Sequence, residues 1–451
     1  MIYDYLVIGK GLAGTAAAKY LAAAGGTVAL LGPDEPRDPD RAEVFSSHYD
    51  QGRIQRMIGI DDTWSRLNLD ALKEYPRIEA ASGIRFHNRD GCLYVNPLGQ
   101  DRYMERAGDA GNRFGTPHTL YSSGSELAAV FPDFSFPGTA AGLMETAPSG
   151  SVNPLELVRA QLTLFEKTGG TVIREVAAGL VRRDGVYSVM TREQNTWRAR
   201  QVLLCPGAFV NFWGLTARKL DLDLKSETVL LAEVSEGTAR RLEHLPSLLY
   251  EIGAPDYSNI YLIKPLPYPD GKYYLKMGCN LAGDLHFSQL EEVQQWFRRG
   301  DSDRHLPILK NALAALMPGL PVLHWLTARC LVSYTRHRKE YIGPIGDDLF
   351  VACGGNGYTA MCSDAIGKIA AHVVMHRTFP AGYDAAAFLP AFAPMQDAGS
   401  FAPADAPVNL LKLISGGPVE AHRYRKDFRP VMPVYSIGPM TPWSQQLFFY
   451  I

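Results

Sequence analysis

Excess charge, paired cysteines and long apolar runs are all missing from this chain, and each shortage removes a class of function. Lys and Arg number 45 against 47 Asp and Glu, a formal net charge of -2 over 451 residues, so nucleic acid is not an expected partner. The one dense basic run, Arg336-His337-Arg338-Lys339, reads as a solvated turn. The cysteines Cys92, Cys205, Cys279, Cys330, Cys353 and Cys362 form no C-x-x-C pair and no dense framework. That argues against a zinc site or disulfide scaffold and for a reducing compartment. No apolar stretch approaches the roughly 20 residues needed to cross a bilayer, and the first strand begins at once, with no leader pattern ahead of Tyr3. The expectation is a soluble, cytoplasmic protein with no membrane partner. At 46% hydrophobic and 20% charged, the composition suits a globular chain long enough for two or three domains.

What is present is concentrated at the start. An apolar run from Tyr3 to Ile8 breaks into Gly9-Lys10-Gly11-Leu12-Ala13-Gly14, continues Ala-rich to Ala24, and is followed by a second apolar run, Thr27 to Leu31. Strand, glycine turn, helix, strand is the first half of a dinucleotide-binding unit. In that reading Gly9 allows the tight turn, Gly11 lets the backbone approach a pyrophosphate, and Gly14 lets the helix pack close to the strand. The phosphates then sit on the unpaired N–H groups at the helix start, around Leu12 and Ala13. A chance match among 42 glycines is the alternative, and the placement between strand and helix weighs against it. The acidic residue that usually ends the second strand to hold a ribose is replaced by Gly32, followed by Pro33, Asp34 and Glu35. Either Asp34 reaches back, or backbone and water hold the ribose; a tolerated 2′-phosphate beside Arg37 is the less favoured reading.

Further on, Trp64, Leu67, Leu69 and Leu72 give helix spacing over Thr63 to Ile84, and Arg85 to Gly142 reads mostly as short strands and turns. Asn153 as N-cap, Pro154 at the first helical position and Glu156 mark a helix that ends at Gly169-Gly170. Strands Thr171 to Val176, Val186 to Met190 and Arg200 to Leu204 follow, the last running into Cys205-Pro206-Gly207. Leu220 to Val234 alternates as a half-buried strand does, and Pro267 to Gly271 turns a hairpin between Asn259 to Ile263 and Lys272 to Met277. Leu349 to Cys353, the loop Gly354-Gly355-Asn356-Gly357 and a helix from Asp364 to Met375 repeat the strand, glycine loop, helix order of the opening.

This combination resembles the D-amino-acid-oxidase-like superfamily of flavoproteins, most closely its monomeric sarcosine oxidase and N-methyl amino acid oxidase branch. The resemblance runs discontinuously from Met1 to Met375. It rests on Gly9 to Gly14, on Ser47-His48-Tyr49-Asp50-Gln51-Gly52-Arg53-Ile54-Gln55-Arg56, on the Asn153-Pro154 helix, on Leu275-Lys276-Met277-Gly278, and on Cys330 to Gly343 leading into Gly355-Asn356-Gly357-Tyr358. It implies an α/β fold in which an FAD-binding Rossmann-like domain of the glutathione-reductase type (1–85, 150–215 and 325–378) is interleaved with a largely antiparallel substrate domain (86–149 and 216–324). Residues 379–451 form an extension without an assigned role.

The resemblance also implies site residues. Lys276 stands where the branch places the lysine that speeds reaction with oxygen, since a fixed cation lowers the energy of superoxide-like charge; a solvated lysine on a hairpin is the bland alternative. Arg53 matches the arginine near the flavin face, and Arg56 one whose guanidinium fork binds the substrate carboxylate. Tyr49 stands where the family often has His, with His48 adjacent. Cofactor contacts are implied at Gly9, Gly11, Leu12, Ala13, Gly14, Asp34, Ser47, Val176, Gly207, Cys330, Gly354, Gly355, Asn356, Gly357 and Tyr358. Cys330 aligns with a cysteine that bonds covalently to the flavin, although Thr335-Arg336-His337 departs from the family's Thr-Pro-Asp and a buried free thiol is the alternative. At substrate-binding positions Asn280 replaces a His and Thr359 a carboxylate-binding lysine, which weakens the case for a simple amino acid such as sarcosine, so that a bulkier amine, an N-alkyl amino acid or a biosynthetic intermediate fits as well. The implied activity is FAD-dependent oxidation of a C–N bond, with O2 as acceptor, H2O2 as product and an imine that hydrolyses. The rivals are a flavin dehydrogenase serving another acceptor and a catalytically idle flavin-binding subunit. No metal is expected.

Overall fold

The opening strand Tyr3–Ile8 is apolar from Tyr5 on because both faces of its sheet are covered there. Val7 faces a core shared with the helices, whereas Leu6 and Ile8 face a second core on the opposite side. The computed structural model describes residues 1–59, 61–99 and 102–394. In it the strands Thr171–Ile173, Val28–Leu31, Tyr3–Ile8, Thr196–Leu204 and Leu349–Cys353 lie side by side and parallel. The hairpin Ala177–Arg183 and Val186–Thr191 and the strand Tyr341–Gly346 complete eight strands. Parallel strands buried on both faces read as continuous apolar runs, which is why this sheet is visible in the sequence.

The helices Leu12–Ala23, Asp62–Ser82, Pro154–Lys167 and Thr359–His376 share one core on this sheet. Asn153 caps its helix as expected, its side chain accepting the Glu156 N–H at 3.0 Å. The first and last of these helices approach so closely that a Cβ on Gly367 would lie 2.3 Å from that of Ala16. A buried Asp364 pins the contact, accepting from Lys19 Nζ and, at 2.7 Å, from the Tyr20 hydroxyl.

The second sheet has nine strands, ordered His286–Phe287, Leu222–Val234, Tyr273–Leu281, Tyr257–Pro267, Ser247–Gly253, Cys92–Asn96, Ala141–Glu145 and His118–Tyr121, with His324–Thr335 also paired to Leu222–Val234. All pairings are antiparallel except Ser247–Gly253 with Cys92–Asn96. A small third sheet joins Arg53–Gln55, Gly150–Val152 and His87–Asn88.

Three sequence expectations are corrected. Leu222–Val234 is not half-buried: Leu230 and Ala232 enter one core while Val229 and Leu231 enter another. The stretch from 85 to 142 holds two helices, Arg102–Phe114 and Gly124–Val130. Glycines disguise the first, and Gly111 is needed because a Cβ there would meet the His118 ring at 2.6 Å. The chain rejoins the parallel sheet only at Tyr341, because His324–Thr335 pairs along its length with Leu222–Val234. Residues 395–451, most of the extension expected from 379 on, lie outside the described residues; before them, Phe388 is fully buried and its carbonyl accepts the Ile342 N–H at 2.8 Å. No helix among the described residues is long and apolar enough to cross a membrane.

Candidate active site

The C-terminal ends of the parallel strands open into a cleft, where loops between strand and helix gather backbone donors. Gly9, at φ 113°, turns the chain from strand to helix so tightly that a Cβ there would lie 2.2 Å from the Cys205 carbonyl oxygen. A Cβ on Gly14 would lie 1.8 Å from the Gly9 carbonyl oxygen. Gly11 differs: its Cβ would project into the cleft and meet nothing nearer than Ser46 Oγ at 3.6 Å. Protein packing therefore does not demand glycine at 11, and the room suits a ligand that touches the backbone. No side chain caps the following helix and its first turn holds no acid, so its N-terminal N–H groups and dipole are available to a pyrophosphate. On this test the cleft fits a dinucleotide.

Gly32 has a steric explanation. A Cβ there would lie 2.6 Å from Lys10 N and 2.7 Å from Lys10 Cβ, so an acidic side chain at the usual ribose position is incompatible with this backbone. Asp34 is half exposed, bound by Lys10 Nζ and, at 3.1 Å, by Arg174, and it does not line the cleft. Those two cations hold its carboxyl below the ordinary carboxylate range against the effect of burial. Leu12, Ala13, Ser47, Tyr49, Val176, Gly207, Gly354, Gly355, Asn356, Gly357 and Thr359 all line the cleft. Val176 N–H donates to Glu193 at 3.1 Å, and the Ser47 carbonyl accepts from Arg53 Nη2 at 2.8 Å. His48 is buried outside the lining; burial, with Lys10 and Arg53 adding positive charge, pushes its imidazole down to about 3. It is therefore neutral at physiological pH.

A second cavity adjoins the first, sharing Arg53, Val332, Asn356, Gly357 and Ala360 with it. Arg56, Asn280, Tyr358 and Lys276 line this cavity. Arg56 is buried, its guanidinium 5.5 Å from the Tyr358 ring centre, and Asn280 Oδ1 accepts from Lys225 Nζ at 3.3 Å. Thr359 is not in this lining; its hydroxyl donates to Glu340 at 2.8 Å. Cys330 lines neither cavity and packs with Val229, Tyr268, Tyr274 and Ala328.

At the junction Lys276 and Arg53 converge on one carboxylate. Lys276 Nζ donates to Asp50 Oδ2 at 2.5 Å and to the Gly52 carbonyl at 2.9 Å, and Arg53 pairs with the same Asp50 oxygen. Tyr268 donates to the other oxygen at 3.1 Å. Burial first, then the Arg53 charge, push the Lys276 ammonium below its ordinary value; contact with Asp50 opposes that and favours the charged form.

Several of these partners lie outside the sequence-derived set. Asp50 was within the quoted segment but had no role. Glu145 accepts the N–H groups of Met57 and Ile58 at 2.6 and 3.0 Å, fixing the chain just beyond Arg56. Glu227 lines the second cavity and Glu340 the first, and burial raises each to about 7. Isolated acids carry no pattern, so only the fold reveals them. For Glu340 the sign is definite: a carboxyl raised from 4.5 to about 7 leaves stability intact below pH 4.5 and costs increasingly as pH rises through 7. Glu340→Gln should therefore be about 3 kcal/mol more stable than the parent at pH 8 and within about 1 kcal/mol at pH 5, measured by chemical denaturation at both pH values. Among the described residues no group of His, Cys, Asp and Glu is arranged to hold a metal.

A family model described as FAD dependent oxidoreductase matches residues 4–373. The chain is 25% identical over 388 residues to the monomeric sarcosine oxidase of Streptomyces avermitilis, covering 83% of this chain and 94% of the relative. It is 21% identical over 399 residues to the peroxisomal sarcosine oxidase of Homo sapiens, covering 86% and 95%. Among solved structures, the open form of NikD, an unusual amino acid oxidase essential for nikkomycin biosynthesis, superposes with a TM-score of 0.70 at 18% identity, over 87% of this chain and 98% of that one. Its glycine-turn cleft and the span of that match place this chain in the family of FAD-dependent oxidoreductases.

Proposed function

We propose that this flavoprotein oxidises the C–N bond of an amine or N-alkyl amino acid and passes the electrons to O2. The FAD-binding unit is read as the parallel sheet with its helices, and the substrate unit as the nine-stranded sheet, with the last boundary moved to Tyr341. When bound, FAD would supply the hydride acceptor for the carbon next to nitrogen and the two-electron carrier through which O2 becomes H2O2. The residues of the chain do the rest. Gly9 to Gly14 and the helix start hold the pyrophosphate, while Gly354 to Tyr358 wall the shared end of the two cavities. Arg56 binds and orients the substrate carboxylate, and Lys276 supplies a fixed positive charge where oxygen is reduced.

The observation that carries this reading is the buried Lys276–Asp50–Arg53 cluster, in which Arg53 lines both cavities and Lys276 the second. Exposed lysines pair with carboxylates at the surface, whereas Lys276 and its carboxylate are both buried. The test is anaerobic mixing of the yellow protein with N-methyl amino acids and secondary amines, then admission of air with peroxide counted per amine consumed. Bleaching followed by close to one peroxide per turnover is expected. Bleaching without peroxide would leave a dehydrogenase, and no bleaching by any amine would overturn the reading. Acid precipitation settles the linkage: colour in the pellet that Cys330→Ala removes is a thioether, and colour in the supernatant is dissociable FAD.

A further inference from the structure

The basic run Arg336-His337-Arg338-Lys339 is a turn with Arg336 exposed and the other three half-buried. All four residues line the second cavity together with Arg56. The turn is held in place by the helix that follows Arg56 in sequence: Trp64 Nε1 donates to the Arg338 carbonyl at 3.2 Å, and Lys339 Nζ donates to Asp61 at 2.5 Å. His337 Nε2 meets the Leu389 carbonyl at 3.1 Å. Lys339 thus has its carboxylate. Arg338 instead lays its guanidinium 4.5 Å from the Tyr334 ring centre, and among the described residues neither Arg336 nor Arg338 has a carboxylate within ion-pair distance. Burial raises the Tyr358 hydroxyl, and the charges of Arg56 and Arg338 oppose that while those of Glu251 and Asp61 add to it.

A cavity that needed only one carboxylate would be served by Arg56 alone. Two further guanidiniums on an anchored turn, one over an aromatic ring, are the chemistry of a second planar anion. We propose that the substrate is an amino acid or secondary amine carrying a second carboxylate, with Arg56 taking the one beside the oxidised carbon and Arg338, assisted by Arg336, taking the other. Glu227, in the same lining and held by Lys225 Nζ at 3.1 Å, offers a carboxyl acceptor to the substrate amine. The inference rests on the amine-oxidation reading above for the reaction, but not for the binding.

The experiment uses the FAD-loaded protein. Binding of two unreactive thioethers, (methylthio)acetate with one carboxylate and thiodiacetate with two, is followed by the perturbation of the flavin spectrum. Turnover of sarcosine is compared with that of N-methylaspartate. The diacid of each pair should be favoured at least about tenfold, as expected of an added charge-assisted contact, and the ratio should collapse to within about threefold in R336Q/R338Q. Equal affinity for the two thioethers in the parent protein would overturn the inference without recourse to any variant. Selective thiodiacetate binding with no bleaching by any amine would instead uphold it while removing the oxidase reading.

Discussion

Lys276→Met should slow reoxidation of the substrate-reduced enzyme by O2 by about 100-fold to 1000-fold, the scale seen when one electrostatic donor is removed from a preorganised site. The reason lies in where the charge sits. Lys276 Nζ is buried, 2.5 Å from Asp50 and 2.9 Å from the Gly52 carbonyl, so its position is fixed before oxygen arrives and no reorganisation is needed when negative charge develops. Lys276 is surrounded almost wholly by protein, which strengthens the field of that charge at short range. Met preserves the length and volume of the side chain, and its thioether removes only the cation and its hydrogen bonds. Stopped-flow mixing of the reduced protein with dissolved O2 gives the rate, and anaerobic reduction by the same amine reports whether substrate binding survives. The telling quantity is the ratio of the two rates. If reoxidation keeps its parent rate, oxygen is reduced elsewhere and the role assigned to Lys276 is wrong.

The sequence carried those parts of the molecule whose physics is local. Gly9 and Gly14 are legible because a turn and a close helix need them within a few residues, and the Asn153 cap because its acceptor and donor are three positions apart. Lys276 and Arg53 were legible only through resemblance to a family. Asp50, which makes both of them work, was not legible at all: its contact with Lys276 spans 226 residues, and no spacing rule reaches so far. The basic run at 336–339 is the turn expected, but its anchors were hidden for the same reason, since Asp61 and Trp64 belong to the cap and first turn of a helix near the other end of the chain. The missing acid at Gly32 was correctly noticed but could not be explained until the Lys10 backbone was seen against it. The helix Arg102–Phe114 was hidden by Gly108, Gly111 and Gly115, residues that ordinarily signal turns.

Asp50→Asn should be the most damaging single change to this site, lowering stability by about 3–5 kcal/mol, because it removes the anion from a buried arrangement that holds two cations. In the parent, Asp50 is fully enclosed, with Lys276 and Arg53 on one oxygen and Tyr268 and the Gln51 N–H on the other. Asn keeps the shape and one acceptor but not the charge. Lys276 and Arg53 then face each other across a neutral amide, and of the two only the lysine can relieve the repulsion by losing its proton. Burial and Arg53 already bias it that way. The variant should therefore reproduce the slow reoxidation of Lys276→Met at alkaline pH and recover part of the lost rate as pH falls, since acid restores the ammonium. Lys276→Met, with no proton to regain, should stay flat. A denaturation midpoint together with a pH series of reoxidation rates separates this positioning role from general damage. If Asp50→Asn unfolds as readily as the parent, or slows reoxidation equally at every pH, Asp50 does not set the charge on Lys276.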